Sequence, residues 1–317
     1  MQSITALTTA VACVLALTAC GGGGGGDSAS SNSTSTSDSG NNSGGSGNAQ
    51  VFSYEAQPVA ADANSFLTLL NSEGARGYRY LRTQTFSDGN QSIFMNDGVI
   101  PTYTCEIAPP EDFIAQANAE GARGFTLLKG TGFSPNVFYC QSGGAAAQYT
   151  YSYAGDVVPG SVSNFSSQLD QWGQSGYLFN TQLVNTSTNI ANQTLYEKNT
   201  TSTATYVYNI LAPQTNLNDY LAQLNSEGVQ GYSGLIYNYN LMLNYAPYNV
   251  FGSGINVMIY MKNQSQSTTF THLADTLPAT STDFIAQANS YGAQGYEYAG
   301  YLTFSGQTAS FYVKTSN

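Results

Sequence analysis

The sequence predicts an α+β fold made of five tandem β-α-β-β repeats, each a three-stranded sheet with one helix, after a disordered N-terminal tether. Three observations lead there. A stretch running aromatic, helical period, Asn or Asp, Gly-x-x-Gly, aromatic occurs five times: FLTLLNSEGARGY (66–78), FIAQANAEGARGF (113–125), FSSQLDQWGQSGY (165–177), YLAQLNSEGVQGY (220–232) and FIAQANSYGAQGY (284–296). Short runs of alternating aromatic and β-branched residues flank each copy, as strands do. Before the first copy lies a Gly/Ser/Asn/Thr run that cannot bury apolar surface.

Residues 4–19 form an apolar stretch too short and too rich in small residues for a comfortable membrane span. It ends Leu17-Thr18-Ala19-Cys20, which resembles the lipobox of bacterial lipoprotein signal peptides. That resemblance implies a signal peptide at 1–19, cleavage before Cys20, and lipidation of Cys20. The family's pattern has basic residues ahead of the apolar run; here only the terminal amine is positive. Several acyl chains on one residue would exceed the two-signal threshold for stable anchoring. Residues 20–49 then form the lipidated Cys and a flexible tether, which would hold the folded part on the order of 30 Å from the lipid. Gly21 stands where inner-membrane lipoproteins often carry Asp, so the same resemblance implies the outer membrane. The expected address is the cell envelope, on either its periplasmic or its surface face.

Repeat 1 (50–100) opens with the strand pattern Val51-Phe52-Ser53-Tyr54. Asp62 or Asn64 can N-cap a helix that carries Phe66, Leu69 and Leu70 on one face. Gly74 sits where a left-handed residue should end that helix. Tyr80–Phe86 and Ser92–Met95 are strands two and three, joined by a turn at 87–90. Repeat 2 (101–147) follows the same order, with its helix opening at Pro109-Pro110-Glu111-Asp112 and stopping at Gly121. Repeat 3 (148–201) carries a polar insertion near Asn185–Asn192. Repeat 4 (202–265) carries the largest, Tyr237 to Gly254, and repeat 5 (266–317) ends in Phe311-Tyr312-Val313-Lys314. One such unit has too little core to stand comfortably alone. Five could close into a ring, as the pentein α/β-propellers do, or stack as an open array.

Of four cysteines, Cys13 leaves with the signal peptide and Cys20 takes the lipid. Cys105 and Cys140, on strands one and three of one unit, read as a disulfide in an exported chain. Strands one and three must then be neighbours. The sheet order is 2-3-1, with strand three central and antiparallel to both others.

At the helix and its exit the repeats resemble a family of small bacterial domains of unknown function. Its members read roughly Leu-Asn-x-x-Gly-x-x-Gly-Trp-Glu-Leu and end in a strand like Tyr-Val-Leu-Lys-Arg. Asn71/Gly74/Gly77, Asn118/Gly121/Gly124, Asn225/Gly228/Gly231 and Asn289/Gly292/Gly295 carry the match, and Asp170/Gly173/Gly176 is a weaker copy. Tyr or Phe stands in place of the Trp, and the basic ending is a single Lys. The resemblance implies a β-α-β-β fold and no activity.

Charged residues are sparse and the net charge is −11, with no cluster of Lys or Arg to track a phosphate backbone, so nucleic acid is not an expected partner. The Gly-x-x-Gly pairs follow a helix, whereas a phosphate loop precedes one. Glu73, Glu120 and Glu227 precede the first glycine in three units and read as solvated helix-end residues. His272, the sole histidine, reads as a surface residue. Lys198, Lys262 and Lys314 end strand three in a Tyr-x-Lys pattern and read as solvated cations that discourage edge pairing. No catalytic residue, metal site or cofactor is expected. The candidate ligand-binding residues are Tyr237, Tyr239, Tyr245 and Tyr248, because Tyr with Asn gives flat contact area and adaptable hydrogen bonds suited to a glycan or protein partner. The expected role is a lipid-anchored scaffold or binding surface in the envelope; the rivals are a glycan-binding module using Tyr237–Tyr248 and an enzyme acting on polysaccharide.

Overall fold

A computed structural model describes residues 50–108, 112–133, 135–144, 149–183, 193–234, 248–249 and 256–316. The signal peptide, Cys20, the tether, Tyr237, Tyr239 and Tyr245 lie outside these residues.

Unit one is β1 (Ser53–Pro58), α1 (Ala63–Gly74), β2 (Arg79–Phe86) and β3 (Gly89–Asn96). Unit two is β4 (Tyr103–Ala108), α2 (Phe113–Ala122), β5 (Thr126–Leu128) and β6 (Val137–Ser142). Unit three is β7 (Tyr151–Val157), α3 (Val162–Gln174), β8 (Leu178–Leu183) and β9 (Gln193–Asn199). Unit four is β10 (Tyr206–Leu211), α4 (Leu217–Val229), β11 (Ser233–Gly234), β12 (Tyr248–Asn249) and β13 (Asn256–Asn263). Unit five is β14 (Thr269–Thr276), α5 (Ser281–Gly292), β15 (Glu297–Phe304) and β16 (Gln307–Ser316). In every sheet the last long strand is central and antiparallel to its neighbours, which is the predicted 2-3-1 order.

Each helix starts on a capping side chain: Asp62, Asp112, Ser161, Asn216 and Thr280 accept from the backbone N–H three residues on. Such a cap contributes about 1 kcal/mol. The helix end differs from the sequence expectation. Gly74 and Gly121 do not have left-handed backbones; they lie in the last helical turn. The positive φ falls on the second glycine of each pair, at +81° for Gly77, +90° for Gly124, +82° for Gly176, +86° for Gly231 and +85° for Gly295. The first glycine answers a different need, close approach. A Cβ on Gly74, Gly121, Gly173, Gly228 or Gly292 would sit 2.1–2.4 Å from a carbonyl oxygen at the start of strand one of the next unit or, for Gly292, just before it.

That contact is part of a repeated clamp. The side-chain amide of Asn71 donates to the Cys105 carbonyl (3.1 Å) and accepts from the Cys105 N–H (2.7 Å). Asn118 does the same to Tyr153, Asn225 to His272 and Asn289 to Tyr54. The motif Asn therefore fastens four of the five helices to the following unit; α3 carries Asp170 at that position. Since Asn289 of unit five fastens to Tyr54 of unit one, the array closes. Phe52 N–H donates to the Gly292 carbonyl (3.1 Å), Ser87 N–H to the Ala279 carbonyl (2.8 Å), and Ser281 to Asp88 across the same seam. The architecture is a five-unit ring.

The hydrophobic core divides accordingly into five clusters, one per seam, each built from a helix, its own sheet and the next sheet. Phe66, Leu70, Tyr80 and Phe94 of unit one pack with Cys105 and Phe138 of unit two, for example. Helices wedge between neighbouring strand-one edges, while strand-two residues of adjacent units meet each other directly. Helices thus form the outer rim, and strand two lies toward the ring axis.

Candidate functional site

Several residues singled out by the sequence turn out to serve the seams. Cys105 and Cys140 face each other across β4 and β6 and are placed as a disulfide, with an S–S distance of 2.02 Å. Glu73 and Glu227 are buried rather than solvated. Each reaches back to strand one of its own unit, Glu73 to Gln57 (2.9 Å) and Glu227 to Asn209 (2.9 Å); Glu120 pairs with Arg123. The equivalent Trp172 and Tyr291 make the same link by donating to Asp156 and Asp275. Burial pushes the Glu73 carboxyl above its ordinary range despite the nearby Arg76 guanidinium.

The lysines of the Tyr-x-Lys ending cannot guard a sheet edge, because strand three is central. Lys198, Lys262 and Lys314 instead donate to the carbonyls of Ser175, Gln230 and Gln294 at the helix exit, each ammonium lying over the ring of Tyr177, Tyr232 or Tyr296. Asn96 and Gln141 make the same bond to Arg76 and Arg123 in units one and two. A helix C-terminus has unpaired carbonyls, and a side-chain donor satisfies one of them.

His272 is buried, not on the surface, with 4% of its area exposed. It stands on strand one at the register held by Tyr54, Cys105, Tyr153 and Tyr208 in the other units. Three of those tyrosines put their hydroxyls into the preceding seam, where they accept strand-two N–H groups: Tyr298 N–H to Tyr54 at 2.6 Å, Leu127 N–H to Tyr153 at 3.0 Å, Phe179 N–H to Tyr208 at 2.9 Å. Burial holds the His272 imidazole down at a pKa of about 4, so it is neutral at pH 7. In unit two the shorter cystine leaves a cleft of about 30 Å³ at this slot, lined by Leu70, Tyr78, Tyr80, Cys105 and Cys140. It has room for one or two waters.

Toward the axis the seams carry buried polar groups that the sequence reading passed over. Arg82 and Lys129 stand at the same offset from the second glycine (77 to 82, 124 to 129) on adjacent units, and both are over nine-tenths buried. Lys129 Nζ donates to the Asn180 carbonyl at 2.8 Å, and the Asn180 amide donates to Glu197 at 2.9 Å. Desolvation raises the Glu197 carboxyl, with the Lys129 charge opposing it. Arg79 pairs with Glu297 at 2.8 Å across the seam of units five and one. The Arg82 guanidinium lies over the Tyr301 ring at 4.4 Å. That shared offset was the available signal.

The ring has two distinct ends. Helices exit and strand one begins at one end, where Gln50 lies beside Gly295. The strand-two to strand-three hairpins lie at the other. Leu183 pairs with Gln193 at the root of the unit-three insertion, and Tyr248 pairs with Val257 where the unit-four insertion returns to its sheet. Tyr248 is the one candidate tyrosine whose backbone is described, and it extends the hairpin as β12. Among the described residues, no group of three or more His, Cys, Asp or Glu side chains could hold a metal, and no helix is long and apolar enough to cross a membrane. Comparison with family models, curated proteins and solved structures finds no match to this chain.

Proposed function

We propose that the chain is an envelope protein anchored through lipid on Cys20, with the ring as a rigid, non-catalytic platform that presents a binding surface at its hairpin end. The observation that carries this reading is the placement of variation. Sheet order, helix cap and exit bond repeat in all five units and the clamp in four, while the strand-two to strand-three connections of units three and four are long. Both long connections root at the end opposite Gln50. Variation concentrated on one end of an otherwise repeated frame is how scaffolds carry recognition.

The partner is a glycan or a protein of the envelope, met by Tyr237, Tyr239, Tyr245 and Tyr248. Two experiments test this. Metabolic labelling with a radioactive fatty acid should mark the wild-type chain and not Cys20→Ser; label retained in the variant refutes the anchor. A glycan array and an envelope cross-linking experiment, each run with wild type and with the four tyrosines changed to Ala, test the surface. Loss of captured partner in the variant supports it, and identical capture by both removes it.

A further inference from the structure

We propose that Lys129 and Asn180 form a self-catalysed isopeptide bond across the seam of units two and three, with Glu197 as the proton carrier. Hydrogen bonds join the three residues in a row. Lys129, which follows β5, donates from Nζ to the main-chain oxygen of Asn180 on β8 at 2.8 Å. The side-chain amide of the same Asn180 donates to Glu197 on β9 at 2.9 Å. The carboxamide carbon lies three bonds beyond the main-chain carbonyl carbon, so turning the end of the lysine side chain brings the amine to it. Holding the reactants this near makes the step effectively unimolecular.

The other units show what these positions hold when no such bond is made. Asn180 lies four residues past Gly176, in the bulge between Phe179 and Thr181. Units one, two and five carry Leu81, Leu128 and Ala299 at that offset. Glu197 faces Tyr153 across the sheet. At the same register strand three carries Met95, Cys140, Met261 and Val313 in the other four units. The fold accepts apolar residues at both positions, yet unit three has an amide and an acid there, beside a buried lysine.

The setting suits amide exchange. Asn180 and Lys129 are 6% and 8% exposed, and the buried Tyr153 and Tyr206 lie beside Glu197, so water that would compete with the amine is kept out. Burial raises the Glu197 carboxyl against the opposing pull of the Lys129 charge. A proton passed from the ammonium to this acid leaves a neutral amine, the nucleophilic form, beside a neutral carboxyl. Ionised, Glu197 accepts from Nδ2; protonated, it donates to Oδ1 once the amide turns over, and so polarises Cγ. The Nζ lone pair then forms a bond to Cγ. Glu197 takes one proton from Nζ and gives one to Nδ2, and the Cγ–Nδ2 bond breaks to release ammonia. One amine and one carboxamide become one secondary amide and ammonia, with no oxidation and no added reagent.

Trypsin digestion of the full-length chain, denatured and reduced, tests the bond by peptide mass. Between Arg123 and Lys198 the sequence has one trypsin site, Lys129. Acylated lysine is not cut, so the wild-type chain should yield residues 124–198 as one peptide, lighter than its sequence by one ammonia. Separate peptides 124–129 and 130–198 overturn the proposal. Ammonia lost from 130–198 with Lys129 cut also overturns it, since that marks a succinimide at an asparagine instead. This wild-type digest decides the bond whether or not any variant folds. Glu197→Gln, which keeps the side chain's size, and Asn180→Leu, the residue of unit one, should each give the two separate peptides. The joined peptide surviving in Asn180→Leu overturns the assignment to Asn180, and in Glu197→Gln the assignment to Glu197.

Discussion

Replacing Gly292 with Ala tests the claim that the first glycine of each motif is a contact residue. The added Cβ would lie 2.1 Å from the Phe52 carbonyl oxygen, 2.9 Å from its carbon and 3.2 Å from Tyr54 Cε2. Backbone cannot swing aside like a side-chain tip, so α5 must retreat by about 1 Å to restore van der Waals contact. Overpacking of this kind costs about 1–3 kcal/mol. The retreat also stretches the Phe52 N–H bond to the Gly292 carbonyl and the two Asn289 bonds to Tyr54, at about 1 kcal/mol each. Alanine returns about 1 kcal/mol through its better helix propensity. The expected net loss is about 3–5 kcal/mol, measured by urea denaturation. Partial opening of this seam should also raise hydrogen exchange at Tyr54 and Tyr298, which lie on its two sides. A loss under about 0.5 kcal/mol, or exchange raised equally at all five seams, would refute the argument.

Three further predictions follow from the seams. Reducing the Cys105–Cys140 bond releases a 35-residue loop, and the chain-entropy model gives a loss of about 3–4 kcal/mol, read from denaturation with and without reductant. His272 is neutral in the fold and titrates near pH 6.5 when unfolded, so below that pH the unfolded chain binds the extra proton. Stability from this group is present above about 6.5 and is lost as pH falls toward 4, by an amount of order 3 kcal/mol. His272→Gln should flatten that part of a stability–pH curve, and an unchanged slope would place the titration elsewhere. Lys314→Gln should be tolerated within about 0.5 kcal/mol because Gln141 makes the same exit bond, whereas Lys314→Ala should cost about 1 kcal/mol in the same denaturation assay.

The unit and its sheet order were legible in the sequence because both rest on local signals. Periodicity marks the helix, and a cysteine pair on strands one and three leaves one sheet order open. Ring closure was not legible, since it rests on contacts such as Asn289 to Tyr54 whose partners lie 235 residues apart. The glycine pair was assigned in the wrong order for a related reason. Both glycines fit a helix end locally, and only the neighbouring carbonyl separates their duties. Glu73 and His272 were misplaced because polarity alone suggests surface, while strand β1 covers Glu73 and helix α4 of the preceding unit fastens onto His272. Arg82 went unnoticed because a single basic residue in a strand pattern looks like an ordinary exposed position until the strand proves to face the axis.

Every hydrophobic cluster spans two units and none belongs to one. The molecule therefore has no privileged first or last unit. The described chain begins at Gln50 and ends at Ser316, and Gln50 and Lys314 both flank Gly295, so its ends meet at one seam. Joining those ends and opening the chain between other units would preserve every cluster and every clamp. Deleting one unit would instead strip a face from each of two clusters, and the ring would have to close with fewer members or not fold.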